Sequence, residues 1–290
     1  MDVHIFLQLV VNGLLVGGVY GLMSLGINLV WGVMGVINLA HGDIIMAAGF
    51  LAFWIFSHFG LNPLLALPIG MAMACTVGML SQRFLLGRLP QDRGAVKSSL
   101  LMTFGISYIV INIAQLLWGN EFQTIAFLAG SWKAGGIDFA KDRTIALRAA
   151  GVITLILWAF LRFTNAGRAV RAVSQNQDGA SVCGIDIARI RVFSFGLGAS
   201  LAGAAGVLLV MIFAISPAMG SGYTVRSFAV TVIGGLGSFL GALLGAMILG
   251  LAEVFTGYLV SAQVANGVAF ILFLIVLLVL PQGLAGLGRR

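Results

Sequence analysis

The chain is a succession of long apolar stretches in which charged residues are almost absent. A helix needs about 20 mostly apolar residues to cross the hydrocarbon core of a bilayer, at a rise of about 1.5 Å per residue. Such stretches cover residues 5–31, 33–58, 63–86, 98–118, 145–162, 191–215, 226–256 and 259–280. The pattern predicts an all-α fold, a polytopic integral membrane protein with about eight transmembrane helices.

Composition excludes a soluble globular domain. Charged residues make up 9% of the 290 residues, whereas soluble domains carry roughly 25%. The 40 glycines lie inside the apolar runs, where small residues allow membrane helices to approach closely. The net charge of +7 comes from basic residues in short loops and not from a patch, so nucleic acid is not an expected partner. Residues 1–290 are predicted to form a single membrane domain in a lipid bilayer.

Two basic segments indicate which loops face the cytoplasm. Residues 82–97 carry four basic residues and residues 162–191 carry five arginines. Cytoplasmic loops of membrane proteins are enriched in Lys and Arg, so both segments are expected inside. Alternation of the spans then puts residues 119–144 and the N-terminus outside.

The C-terminus conflicts with this topology, because eight simple crossings would leave Arg289 and Arg290 outside. The conflict disappears if the glycine-rich run 226–256 enters the membrane and leaves on the same side. Its sequence GGLGS, residues 234–238, suits a break between two half-helices. Such backbone is tolerated at depth only where protein or water covers it. The alternative is that two terminal arginines do not determine topology.

One apolar run contains a polar cluster that lipid cannot satisfy. The sequence INLAHGD holds Asn38, His41 and Asp43, and an Asp at the bilayer centre costs about 2.5–3.5 kcal/mol on insertion scales. One interpretation is a helix break that neighbouring segments satisfy. The other is the unwound start of a short half-helix, 43–58, which lines a solute path, since glycine-interrupted short segments mark transport sites. Asn38, His41, Gly42 and Asp43 are therefore the candidate translocation-path residues.

Motifs for catalysis or metal binding are absent from the sequence. The three histidines are far apart and lack zinc-ligand spacing, and neither a P-loop nor G-x-S-x-G occurs. The chain is therefore predicted not to be an enzyme and to hold no metal. The other ionisable groups within the apolar runs, Arg226 and Glu253, are expected to be interfacial or paired for structural reasons.

The longest basic segment is predicted to form an amphipathic surface helix. The predicted helix extends from Gly167 to Cys183, and Gly184 is suited to cap its C-terminus. Composition leaves open whether this is a solvated loop or a helix that docks into a groove of a partner protein. The predicted apolar positions are Ala169, Ala172, Val173, Ala180 and Cys183.

Five stretches of the chain carry a family resemblance. They are residues 21–50, 167–186, 195–208, 232–246 and 281–286, and INLAHGD is among their most specific elements. In this order they resemble the LivH-type permeases of ABC importers for branched-chain amino acids. The sequence departs from the family at Leu280, where an arginine is common, and residues 119–144 show no family pattern.

The resemblance implies a permease subunit for ATP-driven import of branched-chain or related amino acids across the bacterial inner membrane. Permeases of the same family for urea, amides or aromatic acids are an alternative, and an ion-coupled secondary transporter is another. The implied partners are two ABC ATPase subunits that bind the ATP, an extracytoplasmic solute-binding protein and a second homologous permease subunit in a heterodimer. No cofactor is expected in this chain. The resemblance maps an ATPase-docking segment onto 164–189, with Arg171, Ala180, Cys183, Gly184 and Ile185 as docking residues.

Overall fold

A computed structural model describes residues 2–89, 95–125, 127–128, 130–280 and 282–286; Arg289 and Arg290 lie outside this set. Within it, eight helices are long and apolar enough to cross a membrane, namely α1–α5, α8, α10 and α11. The predicted all-α polytopic membrane protein is confirmed. The helices are α1 Val3–Met34, α2 His41–Phe59, α3 Ala66–Phe84, α4 Ala95–Trp118, α5 Lys141–Phe163, α6 Asn165–Gln175, α7 Gln177–Val182, α8 Ile187–Leu209, α9 Gly220–Gly234, α10 Phe239–Leu259, α11 Ala262–Val279 and α12 Gly283–Gly286.

Helices α1 and α10 pack antiparallel along a row of glycines. A Cβ atom on Gly13 would lie 2.8 Å from the Leu251 Cα atom, and one on Gly17 would lie 2.9 Å from the Ala246 carbonyl oxygen. Because lipid tails are as apolar as the side chains, close van der Waals contact is what holds membrane helices together. The small-residue spacing in α1 therefore serves packing within the chain.

Helix α8 is the centre of the bundle. Within its apolar stretch 83% of residues are buried, against 11% for α4, so α8 is enclosed by the chain while most of α4 lies on its surface. A Cβ atom on Gly206 would lie 2.0 Å from the Ile45 carbonyl oxygen of α2, and one on Gly203 would lie 2.6 Å from that of Gly70 in α3. Glycine allows the backbones of α2 and α3 to touch α8 directly.

Helix α9 is too short to cross a bilayer alone. Its 15 residues span about 22 Å, whereas the hydrocarbon core is about 30 Å thick. The predicted break at 234–238 separates α9 from α10, with Gly235 and Gly237 at positive φ. The Asn28 side chain holds this turn, since it accepts a hydrogen bond from the Gly237 N–H and donates one to the Ser238 carbonyl oxygen. Helices α9 and α10 run antiparallel, and α10, with 21 residues, is long enough to span. The chain therefore turns back within residues 220–259, a wider range than the predicted 226–256.

The described C-terminal residues lie at the end of the bundle that carries both basic segments. This basic end contains the C-terminal end of α3, the α5–α8 connection and the α9–α10 turn. A Cβ atom on Gly283 would lie 2.5 Å from the Gly235 backbone nitrogen, which fixes α12 beside that turn. The turn from α9 into α10 therefore accounts for the position of α12 at the basic end.

A β-hairpin at the opposite end was not predicted. Strands β1 Ser131–Ala134 and β2 Ile137–Ala140 pair antiparallel within the 119–144 segment. The Gln8 side chain of α1 donates to the Asp138 carbonyl oxygen at 2.7 Å and accepts from the Asp138 N–H at 2.8 Å. These bonds attach the hairpin to the first turns of α1.

The backbone contacts of α8 give a test of the packing. We expect Gly206→Ala to lower the free energy of unfolding by about 1–3 kcal/mol, the usual cost of overpacking, because the new methyl group would meet a backbone carbonyl. Gly151→Ala in α5 is the matched control, because nothing lies within 4 Å of its Cβ position and alanine is the better helix former by up to about 1 kcal/mol. Thermal unfolding in detergent, followed by tryptophan fluorescence, measures both. Equal melting temperatures for the two variants would contradict this packing.

Candidate translocation site

The polar cluster lies where the chain turns back from α1 into α2. Helix α1 ends with Gly35 at φ +62°, and residues 35–40 are not helical. Helix α2 begins at His41, so the prediction that the half-helix starts at 43 is wrong by two residues. The reason is local, because the Asn38 side chain accepts a hydrogen bond from the Ala40 N–H at 3.1 Å and turns the chain before His41.

Helix α2 starts deep inside the bundle. The His41 Nε2–H donates a hydrogen bond to the Met23 carbonyl oxygen of α1 at 2.9 Å. Met23 precedes the end of α1 at Met34 by 11 residues, or about 16 Å along the helix. The side chains at the break are enclosed, since Asn38, His41 and Asp43 are 5%, 1% and 0% exposed.

A threonine of α9 connects both sides of the break. The Thr224 hydroxyl accepts a hydrogen bond from the Gly42 N–H at 2.9 Å and donates to the Leu39 carbonyl oxygen at 3.0 Å. The first N–H groups of a helix have no partner within the helix, and here a neighbouring helix supplies one. The Thr224 side chain therefore provides hydrogen-bond partners both for a backbone N–H of α2 and for a carbonyl oxygen of the non-helical segment.

The first turns of α2 and α9 are in backbone contact. A Cβ atom on Gly42 would lie 1.9 Å from the Gly220 carbonyl oxygen, so any larger residue would push the two helices apart. We call this contact the half-helix junction and define it by residues 41–43 of α2 and 220–224 of α9. Both helix N-termini carry a partial positive charge, and they meet here at the depth of Met23.

The Asp43 carboxylate lies within the half-helix junction. A Cβ atom on Gly220 would come within 2.0 Å of Asp43 Oδ1, so the carboxylate lies against the start of α9. Neither carboxyl oxygen makes a hydrogen bond of good geometry, and Ser107 of α4 is the polar side chain close enough to interact with it. A negative charge at the N-termini of two helices is electrostatically favourable. The carboxylate thereby offsets the two positive ends that the chain brings together.

The predicted docking segment consists of two helices. Helices α6 and α7 are separated at Asn176, so the single helix predicted from Gly167 to Cys183 is wrong. The break is a consequence of capping, because the Asn176 side chain accepts a hydrogen bond from the Gly179 N–H at 2.9 Å and starts α7. Val170, Val173 and Ala180 are buried in one apolar cluster with Val33 of α1, which fixes both helices to the bundle.

Gly184 ends α7 as predicted. It lies at φ +79°, and its N–H donates to the Ser181 carbonyl oxygen while the Ile185 N–H donates to the Ala180 carbonyl oxygen at 3.1 Å. This pair of bonds is the Schellman arrangement. Among the predicted docking residues Ala180 is buried and Ile185 half-buried, whereas Arg171, Cys183 and Gly184 are exposed.

The two remaining ionisable groups of the apolar runs form an ion pair. Arg226 Nε lies 2.9 Å from Glu253 Oε1, which confirms the expected structural pairing. The Tyr20 hydroxyl donates to Glu253 Oε2 at 2.6 Å, and Arg226 Nη2 donates to Asn266 Oδ1 at 2.9 Å. The pair therefore joins α1, α9, α10 and α11.

Comparison with known proteins identifies the family. The profile of the branched-chain amino acid transport system permease component matches residues 9–279. The chain belongs to this permease family. The resemblance to LivH-type permeases is thereby confirmed.

The similar proteins cover almost the whole permease. This chain is 30% identical to the high-affinity branched-chain amino acid transport system permease protein LivH of Escherichia coli strain K12, over 97% of this chain and 96% of that protein. It is 29% identical to the corresponding protein BraD of Pseudomonas aeruginosa, over 98% and 97%. Among solved structures, PsaBC from Streptococcus pneumoniae in complex with Fab aligns with a TM-score of 0.52 and 17% identity, over 97% of this chain and 94% of that one. That likeness concerns the fold alone.

Two features of the permease were missed from sequence. Thr224 belongs to the half-helix junction although it is 181 positions away from Asp43 in the numbering, and a threonine in an apolar run gives no sign of its partner. Val182 of α7 is 89% exposed, and Ala180, two positions earlier, is buried. Because residues two positions apart lie on different sides of a helix, this spacing could have indicated that Val182 faces outward.

The Thr224 hydroxyl provides a test of the half-helix junction. We expect Thr224→Val to destabilise the permease by about 1–3 kcal/mol, because the buried Gly42 N–H would lose its acceptor, and to impair solute uptake. Thr224→Ser keeps the hydroxyl and should retain most of the stability. Thr76→Val on the exposed face of α3 is the control for the substitution itself. Melting temperature and uptake in proteoliposomes measure the effect, and a Val variant indistinguishable from the Ser variant would disprove the bridging role.

Proposed function

We propose that this permease is the membrane-spanning subunit of an ABC importer that carries branched-chain or related amino acids into the bacterial cytoplasm. Its relatives are named as branched-chain amino acid transport permeases, and they align with this chain over nearly their whole length. These names support the proposed substrate class. The observation that carries the transport role is the half-helix junction. Discontinuous helices whose N-termini meet near the middle of the bilayer are typical of membrane transporters.

In this proposal the residues predicted for the translocation path hold the break in α1–α2. Asn38 turns the chain, His41 fastens α2 to α1, Gly42 permits the contact with α9, and the Asp43 carboxylate lies between the two helix N-termini. All of these side chains are enclosed, so the junction is closed to solvent in this conformation. Movement of α9 relative to α2 would open it by breaking the hydrogen bond between Gly42 and Thr224 and separating the backbones of Gly42 and Gly220.

The ATP that drives transport is bound by partner subunits in this proposal, and the chain itself contributes a docking surface. That surface is the outward side of α6 and α7, with Arg171, Cys183 and Gly184 exposed and Val182 protruding. Ala180 and Ile185 contribute by holding α7 on the bundle. A second permease subunit of similar size and an extracytoplasmic solute-binding protein complete the importer.

We also propose that the basic end faces the cytoplasm of the bacterial inner membrane. Arg83, Arg162, Arg168, Arg171 and Arg189 lie at that end, and Lys and Arg are enriched in cytoplasmic loops. Helices α6 and α7 lie at the same end. ATPase subunits are supplied with ATP there, so this orientation is consistent with the docking surface.

The protruding valine tests the docking surface. We expect Val182→Asp to reduce co-purification of the ATPase subunits at least about tenfold, because a charge would replace a buried apolar contact in the complex. The melting temperature of the isolated permease should not change, since exposed substitutions usually cost less than about 0.5 kcal/mol. Leu61→Asp makes the same chemical change on an exposed residue at the opposite end and should leave co-purification intact. Normal co-purification of the Val182→Asp variant would refute the assigned surface.

The cysteine that follows Val182 tests the orientation. Cys183 is exposed and unpaired, whereas Cys75 is half-buried within α3. In a Cys75→Ser background, a membrane-impermeant maleimide should label Cys183 in inverted vesicles and not in intact spheroplasts. Bound ATPase subunits should protect the thiol from the reagent. Labelling from the spheroplast surface would reverse the proposed orientation.

A further inference from the structure

A cavity opens at the end of the bundle opposite the basic end. Its volume is about 520 Å³, and α1, α9, α10, α11 and the start of α5 contribute to its lining. This is within the range of small-molecule binding sites, about 300–1,000 Å³. We call it the vestibule. Its charged lining residues are Arg143, Arg226 and Glu253, and its apolar lining residues include Val16, Phe213 and Met219.

The vestibule has one guanidinium in excess. Arg226 and Glu253 are paired with each other, and their side chains are 14% and 10% exposed. The side chain of Arg143 makes no hydrogen bond or ion pair with any residue that the structure describes. A single carboxylate is therefore accompanied by two cations, and the one that lacks an intramolecular partner is free to bind an anionic group.

A buried hydroxyl beside the ion pair also lacks a partner. Tyr223 is 3% exposed, and its hydroxyl makes no hydrogen bond within the described part of the chain. Buried polar groups are normally satisfied, so an unsatisfied one in the wall of a cavity marks a position where a bound group would contribute. Tyr223 also precedes Thr224, so the vestibule and the half-helix junction share adjacent residues of α9.

We propose that the vestibule binds a zwitterionic α-amino acid on its way to the half-helix junction. Arg143 binds the α-carboxylate, the Tyr223 hydroxyl oxygen accepts a hydrogen bond from the α-ammonium group, and Val16, Phe213 and Met219 surround an aliphatic side chain. Hydrogen bonds between a guanidinium and a carboxylate are charge-assisted and strong. The assignment rests on the proposed function and deepens it, because it specifies which chemical groups of the solute the permease itself recognises.

The charge pattern separates amino acids from other small solutes. A neutral urea or amide would leave the Arg143 guanidinium without an anion, and a carboxylic acid without an amino group would leave the Tyr223 hydroxyl without a hydrogen-bond partner. Discrimination of this kind arises from the groups that a wrong ligand leaves unpaired. The vestibule is therefore suited to a solute with both charges.

The test uses the intact transporter, purified with its partner permease and ATPase subunits in nanodiscs but without the binding protein. Saturation-transfer NMR with millimolar leucine measures binding to the permease directly. We expect Arg143→Gln to weaken leucine binding at least about tenfold. The matched control is Arg148→Gln on the same helix, whose guanidinium lies 5.6 Å from the Trp132 ring and is not among the vestibule residues; it should bind leucine as the wild type does.

Two leucine analogues test the same site without any substitution. Leucinamide lacks the carboxylate and 4-methylpentanoate lacks the ammonium group, and each should bind the wild-type complex at least about tenfold more weakly than leucine. Arg143→Lys keeps the charge but loses the planar fork of donors, so its binding should fall between those of the wild type and Arg143→Gln. Equal binding of leucine and either analogue would overturn the proposal, whether or not the variants fold.

A separate measurement distinguishes this proposal from the proposed function. Leucine uptake into proteoliposomes that contain the complete importer, its binding protein and ATP reports on the function alone. Absence of uptake by the wild type would refute the proposed function. Uptake by the wild type, together with identical leucine binding by Arg143→Gln and Arg148→Gln, would refute the vestibule site and leave the function intact.

Discussion

The contact between the first turns of α2 and α9 is the constraint from which the rest of the bundle follows. Two short helices begin inside the protein, and their N-termini meet with no side chain between Gly42 and the Gly220 carbonyl oxygen. Like ends of two helix dipoles repel, so the contact needs compensation. The Asp43 carboxylate supplies opposite charge, and the Thr224 hydroxyl supplies the hydrogen bonds that the broken backbone lacks.

Each of these two helices is also held to α1. His41 fixes the start of α2 to the Met23 carbonyl oxygen, and Asn28 fixes the turn that follows α9. Both anchors are on α1, whose outer half packs against α10 through glycine. Helix α1 therefore supports α2, α9 and α10. A shift of α1 would change the half-helix junction and the vestibule together.

Sequence predicted most of the spans, the polar break and the glycine break at 234–238, because long apolar runs and their interruptions are local properties of the chain. It left open whether Arg226 and Glu253 are interfacial or paired for structural reasons, and the structure shows that they pair with each other. It did not predict Thr224, the Asn28 clamp or the β-hairpin at 131–140. Those depend on residues far apart in the chain that are brought together only by the fold, and the short hairpin strands are fixed by Gln8 of α1. The helix break at Asn176 was not predicted, because the amphipathic pattern continues through this residue and hides the fact that its side chain caps α7.

The shortness of α9 has a consequence for how the protein enters the bilayer. A stretch of 15 residues with buried Tyr223 and Thr224 and half-buried Arg226 is a poor independent span, because its polar groups need α1, α2 and α10 to satisfy them. The first spans must therefore already be assembled, or at least adjacent, when the ribosome delivers residues 210–259. The spans of this chain therefore do not insert into the membrane independently. The last third of the chain inserts beside helices formed by the first third, which supply its hydrogen-bond partners.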